Sequence, residues 1–227
     1  MGDPPAADEL PEMDPHMAEA MSLEGDAERL LDYYQGWAED YDHDVGALGD
    51  EYQAVSSMLS LFHSLDRDAL GVSGTDITIL DAGCGTGLVG AALADAGYTT
   101  IDGVDLSPAM VHQAARRGVY RELVGGFDLA DPPEARWRRA ADVVFVCGVF
   151  TVGHAPPELV SSCADLVRSG GLLVITTRKA YYEESGYEDR IDRLIGQGVL
   201  RRAGERLDAP YTGDSHGHVF AYEVTHG

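Results

Sequence analysis

The chain has 227 residues, 44 % of them hydrophobic and 24 % charged, with 39 acidic against 16 basic side chains and a formal net charge of −23. That size and balance suit one soluble domain with its own core, and they need no disulfide or metal staple. So anionic a chain repels polyanions, which excludes nucleic acid as an expected partner, and its longest apolar run, Val143–Val152, falls short of the roughly 18 residues of a membrane span.

The start, Met1-Gly2-Asp3-Pro4-Pro5, has neither the basic residues nor the apolar stretch of a secretory signal, so a cytoplasmic address is expected. Cys84, Cys147 and Cys163 form no C-x-x-C pair and read as reduced core thiols. Residues 1–50 hold fifteen acids and one base, Arg29. Within them, residues 1–25 combine four prolines with many acids and few large apolar side chains, too little to offset chain entropy. An acidic disordered tail is expected there, with a single folded domain over 26–227.

Helical spacing begins at Ala27, where Leu30, Leu31, Tyr34, Trp37 and Tyr41 follow an i, i+3, i+4, i+7 stripe. Tyr52, Val55, Met58, Leu59, Phe62 and Leu65 repeat it, so two helices precede the sheet. Then the period changes. Ile77–Leu80 predicts a strand, the glycine cluster a tight turn, and Leu88–Ala96 a helix. Strands near Thr99–Val104, Tyr120–Val124, Asp142–Cys147 and Leu172–Thr177 alternate with helices over Pro108–Arg117 and Pro157–Arg168, the latter stopped by Gly170-Gly171. Tyr181–Ile195 reads as a last helix, and Val199–Leu207 with His218–Val224 as an antiparallel pair. Alternation of this kind predicts an α/β domain with a mostly parallel sheet covered on both faces.

The chemistry concentrates at Asp81-Ala82-Gly83-Cys84-Gly85-Thr86-Gly87. Gly83, Gly85 and Gly87 let the backbone turn sharply and approach a ligand where a strand ends and a helix begins. Asp81 can pair with a cationic amino group, and the amides after it can face a carboxylate; an α-amino acid moiety offers both. Gly85-Thr86-Gly87-Leu88-Val89-Gly90 also satisfies the dinucleotide pattern G-x-G-x-x-G, which keeps a nicotinamide oxidoreductase as an alternative. In that register, however, Asp81–Cys84 would sit where an apolar strand belongs. Further on, Ile101-Asp102-Gly103-Val104-Asp105 is a strand ending in an acid placed to accept hydrogen bonds from ribose hydroxyls. Leu106 and Met110 are candidates to pack on a purine ring, and Ser107-Pro108 has the form of a helix N-cap and first residue.

These two segments resemble the class I S-adenosylmethionine-dependent methyltransferases. Gly118–Tyr120, Gly148–His154 and Arg178–Tyr182 are similar to the subgroup containing the Williams–Beuren-region methyltransferase-like protein. The resemblance implies a doubly wound, mostly parallel seven-stranded sheet of the Rossmann-like methyltransferase fold, with N-terminal helices. It also implies S-adenosylmethionine as cofactor. It assigns Asp128 to the adenine amino group, with Phe127 as an insertion before it and a solvated loop acid as the alternative, and the backbone at Cys147 and Gly148 to the methionine portion. Trp37 and Tyr41 fall on a helix that lids the pocket in relatives, where they touch cofactor or acceptor; core packing explains them equally well.

His154, just past the fourth strand, is the candidate base or acceptor-positioning group, against a structural role. Tyr181 is the second candidate catalytic residue, with Tyr182 and Arg178 on the same rim, a surface helix being the alternative. His216 and His218 are too isolated to suggest zinc, and no metal is expected. Cys147-Gly148-Val149-Phe150 is not the Asn/Asp-Pro-Pro-Tyr/Phe loop of amide and base N-methyltransferases, and there is no paired-glutamate loop for an arginine acceptor. The expected function is therefore methyl transfer to a small molecule, the alternative being a non-catalytic or partner-activated cofactor-binding protein.

Overall fold

A computed structural model describes residues 26–47 and 52–226. The tail expected over residues 1–25 lies outside the described residues.

Asp26 opens the first helix, α1 (Ala27–Ala47), by accepting the amides of Glu28 and Arg29 at its carboxylate, 3.0 and 3.2 Å away. The elements that follow are α2 (Ala54–Ser64), β1 (Ile79–Ala82), α3 (Leu88–Asp95), β2 (Ile101–Asp105), α4 (Pro108–Ala115), β3 (Glu122–Gly125), β4 (Ala141–Phe150), α5 (Val160–Leu166), β5 (Val167–Arg178), α6 (Lys179–Glu184), α7 (Tyr187–Gly196), β6 (Leu200–Thr212) and β7 (Ser215–Val224). Among the described residues no helix is long and apolar enough to cross a membrane.

The seven strands lie in the order β3-β2-β1-β4-β5-β7-β6. β3 through β5 are parallel, while β7 runs antiparallel to both β5 and β6. The chain winds outward from β1 to β3 and then crosses back to place β4 on the other side of β1. A crevice follows at the carboxyl ends of β1 and β4, where the winding reverses. β4 shows why the sheet is buried on both faces: Val143 and Phe145 join the core under α2 and α3, and Val144 and Val146 the core on the opposite face.

Four elements depart from the sequence reading. The helix expected to run to Arg168 ends at Leu166, because Val167 pairs with Ala141 and Arg168 forms an ion pair with Asp142 at the start of β4. Strand pairing there outweighs helix propensity. The helix expected over Tyr181–Ile195 is broken at Gly186, whose φ is +76°, and the break turns Tyr187 fully into the core. The last two strands run longer than expected and form a hairpin that closes the sheet.

Gly171 marks a close approach in this part of the sheet, since a Cβ there would lie 2.6 Å from the Asp142 carbonyl oxygen and 2.7 Å from Val167 Cγ1. Gly171→Ala is expected to lower stability by about 1–3 kcal/mol, read from the urea midpoint at constant slope. An unchanged midpoint would show that the strands do not pack this closely.

Candidate functional site

The glycine turn is folded by its own backbone and by one carboxylate. The amides of Gly83 and Cys84 donate to the Val104 carbonyl at 2.8 and 3.0 Å, and Gly85 N donates to Asp105 Oδ2 at 2.8 Å. Gly83 and Gly85 both have positive φ, +74° and +51°. Beyond that the two differ: a Cβ at Gly83 would strike Val149 Cγ2 at 2.4 Å, whereas a Cβ at Gly85 would meet open space. Gly83 is thus required for packing, and Gly85 keeps an approach free. Gly87, at φ +89°, is the N-cap of α3.

Asp81 is fully buried at the tip of β1. The Tyr120 hydroxyl donates to its Oδ2 at 2.7 Å, while its Oδ1 is a buried oxygen without a partner. Burial pushes this carboxyl up to about 7, the Tyr120 hydrogen bond opposes the rise, and the neighbouring Asp105 adds to it. The Tyr120 ring fills space that bare glycines leave: a Cβ at Gly90 would lie 2.2 Å from Tyr120 Cζ, and one at Gly103 would lie 2.9 Å from Tyr120 Cε1. The third glycine of the apparent dinucleotide pattern therefore seats a tyrosine.

Asp105, half-buried, accepts the Ser107 amide at Oδ1 as well as that of Gly85, each at 2.8 Å. Burial raises its pKa against those two amides. Ser107 caps α4 by accepting from Met110 N, and Pro108 opens the helix, as the sequence indicated. Met110 is buried and Leu106 half-buried. Asp128 is half-buried, its Oδ1 accepting Ala130 N at 2.8 Å. Phe127 is an anchor: its ring meets Trp137 edge-on at 6.3 Å between centroids, and its amide donates to the Asp105 carbonyl, which fixes Asp128 near Asp105.

α1 lies across α4. Trp37 is buried there and meets Tyr41 edge-on, with centroids 4.6 Å apart. Tyr34, one turn earlier, is hydrogen-bonded at 2.6 Å to His154 Nε2. Because His154 Nδ1 lies 3.1 Å from the Val152 carbonyl, which only accepts, the ring is protonated at Nδ1, and Nε2 accepts the Tyr34 hydroxyl. Burial lowers the His154 pKa, the Val152 carbonyl opposes this, and the Arg178 charge lowers it further, so the imidazole is neutral at pH 7. Burial holds the Tyr34 hydroxyl protonated.

At the turn after β4, Gly148 has φ +76° and its amide donates to Thr176 Oγ1 at 3.1 Å. The Tyr52 hydroxyl sits over it, 3.8 Å from Cys147 Sγ. Burial pushes the Cys147 thiol up to about 11, which keeps it protonated. Tyr181 is not in this group. It is buried, donates its hydroxyl to the Ala155 carbonyl at 2.7 Å and packs on Phe150 and Tyr187, so it supports the His154 turn from behind. Sequence reasoning assigned no site role to Tyr34, Tyr52 or Tyr120. The aromatic composition of the α1 stripe was the available signal for Tyr34; none existed for the Tyr120–Asp81 bond.

The arrangement joins two acids at strand tips, an open glycine turn, a neutral imidazole and an aromatic roof. A family model described as "Methyltransferase domain" matches residues 79–171. Methyltransferase-like protein 27 of Homo sapiens is 34 % identical over 185 residues, covering 77 % of this chain and 69 % of that protein. A ubiquinone biosynthesis O-methyltransferase of Caulobacter is 30 % identical over 103 residues, covering 44 % and 40 %. Among solved structures, magnesium protoporphyrin IX methyltransferase from Synechocystis has the same fold, with a TM-score of 0.62 at 17 % identity over 88 % of this chain and 99 % of that one.

Gly90→Ala must displace the Tyr120 ring, so it is expected to lose about as much stability as Tyr120→Phe, about 1–3 kcal/mol each. The double variant should lose little more than either alone, because both break the same Tyr120–Asp81 contact. Additive losses in denaturant unfolding would separate the two effects.

Proposed function

Because the chain belongs to the class I S-adenosylmethionine-dependent methyltransferases, we propose that it transfers the methyl group of that cofactor to a small-molecule acceptor held beneath α1. The observation that carries the cofactor assignment is the unpartnered, buried Oδ1 of Asp81 beside a glycine turn with open space at Gly85. An ammonium group satisfies that oxygen, and the open space at Gly85 admits the rest of the amino-acid portion. Asp105 retains lone pairs for the ribose hydroxyls after accepting two amides. Leu106, Met110 and Asp128 serve the adenine, Gly83, Gly85, Gly87, Cys147 and Gly148 the amino-acid portion, and Trp37 and Tyr41 the lid.

S-adenosylmethionine supplies a methyl group on a cationic sulfur. What remains for the chain is to align the acceptor, exclude water and take a proton where the acceptor carries one. His154 is our proton acceptor. Its Nε2 lone pair is turned toward Tyr34, so a proton leaves the acceptor onto the Tyr34 oxygen while Tyr34 passes its own to Nε2. Tyr181 is reassigned as the support that holds the Ala155 carbonyl and with it the turn. A small acceptor is supported by the roof of tyrosine and tryptophan rings, which offers flat apolar surface.

Asp105→Ala is expected to weaken S-adenosylhomocysteine binding by about 2 kcal/mol, near thirtyfold, in calorimetry; an unchanged dissociation constant would remove Asp105 from the site. His154→Gln and Tyr34→Phe should each cut label transfer from methyl-labelled cofactor by about a hundredfold while leaving that binding intact.

The Asp81 carboxyl supplies a pH test. Its folded-state pKa is raised to about 7, so the free protein loses stability as pH rises from the ordinary carboxylate range through about 7. A bound ammonium offsets the charge that then appears. The gain in melting temperature from S-adenosylhomocysteine should therefore grow with pH across that window, and a gain flat in pH would exclude an Asp81–ammonium contact.

A further inference from the structure

Several basic side chains of this acid-rich chain are neutralised where they stand: Arg121 by Asp102, Arg168 by Asp142, Lys179 by Asp208 and Arg202 by Glu188. Arg178 is different. It ends β5 at the carboxyl edge of the sheet, half-buried, and no carboxylate among the described residues forms an ion pair with it. Its guanidinium carbon lies 4.9 Å from the centroid of the Tyr211 ring. Tyr211 in turn meets Tyr52 edge-on at 6.2 Å, and Tyr52 covers Cys147 and Gly148. Arg178, Tyr211 and Tyr52 thus form one continuous wall from the rim of β5 to the turn after β4.

A guanidinium laid on an aromatic face is shielded from water on that side and keeps its in-plane N–H fork for a planar, two-oxygen anion. A protein of net charge −23 repels anions at long range, so holding one requires a dedicated unpaired cation. The remaining walls are flat rings: Tyr34, Trp37 and Tyr41 above, Tyr52 and Tyr211 to the side. One cation among rings matches one negative charge on a flat, apolar body.

We propose that Arg178 anchors a carboxylate of the methyl acceptor, which is therefore a planar, largely apolar monocarboxylate. The inference rests on the methyltransferase reading above and adds to it the class of acceptor. Arg178 is a specificity residue here; it takes no part in bond making.

The test is binding of benzoate and 4-hydroxybenzoate, each against its amide, and of inorganic phosphate, to the enzyme saturated with S-adenosylhomocysteine. In the wild-type protein each acid should bind at least about tenfold tighter than its amide, and phosphate should bind more weakly than either acid. Arg178→Met should erase the preference for acid over amide without changing S-adenosylhomocysteine affinity, and Arg178→Lys should restore part of it. Equal binding of acid and amide, no binding of either acid, phosphate binding as tightly as the acids, or a preference that survives in Arg178→Met would each overturn the proposal. Failure to bind S-adenosylhomocysteine at all would instead sink the methyltransferase reading, so the two failures are told apart.

Discussion

Asp81 and Asp105 end adjacent parallel strands, and taking two neighbouring carboxylates out of water is costly unless each finds donors. The chain meets this cost in two ways. Asp105 draws on backbone, using its two oxygens to hold the glycine turn and the start of α4 in place. Asp81 draws on a side chain, Tyr120, which reaches in from the segment after α4. Because a ring must pass between α3 and β2 to arrive there, Gly90 and Gly103 have no room for a Cβ. The glycine pattern is thus dictated partly by the ligand face of the turn and partly by the aromatic behind it. One Asp81 oxygen stays unpaired, which leaves the tip of β1 short of one donor.

On the far side of the crevice the same logic fixes the imidazole. The turn after β4 carries His154, with Val152 orienting its Nδ1 and Tyr181 holding the Ala155 carbonyl behind it. The remaining nitrogen is engaged by Tyr34 of α1. Helix position and availability of Nε2 are therefore one variable, since α1 cannot lift from the sheet without releasing the hydrogen bond. A helix that merely packed on apolar surface would carry no such link to the imidazole.

What the sequence disclosed is local. The run from Ile79 to Gly87, the acid Asp105 closing β2 and the Ser107-Pro108 helix start each depend on residues a few positions apart, and the backbone conforms to them. Contacts between distant segments left no periodic trace: Tyr34 and His154 are 120 residues apart, and Tyr120 and Asp81 are 39 apart. Tyr181 misled because rim position after a strand does not fix which way a ring points. Gly186 turns the chain so that Tyr187 packs inward beside it, and that aromatic core claims both rings. Phe127, expected as an insertion, packs on Trp137 ten positions later, a contact that local spacing does not announce.

Charge is distributed unevenly at the crevice, and this bears on the chemistry. The Tyr34 and Tyr52 hydroxyls and the Cys147 thiol are held protonated by burial, and His154 is held neutral. Asp81 carries only part of a charge near neutrality, since its pKa is raised to about 7. Burial also raises the Asp105 carboxyl, and Asp105 and Arg178 are both half-buried. A cationic sulfur held in a crevice lined by such rings would be poorly solvated, and a transition state that spreads its charge would be favoured over the reactant. Under the proposed function, rings that form no hydrogen bond to a ligand would still add to rate, by excluding the water that would stabilise the starting charge.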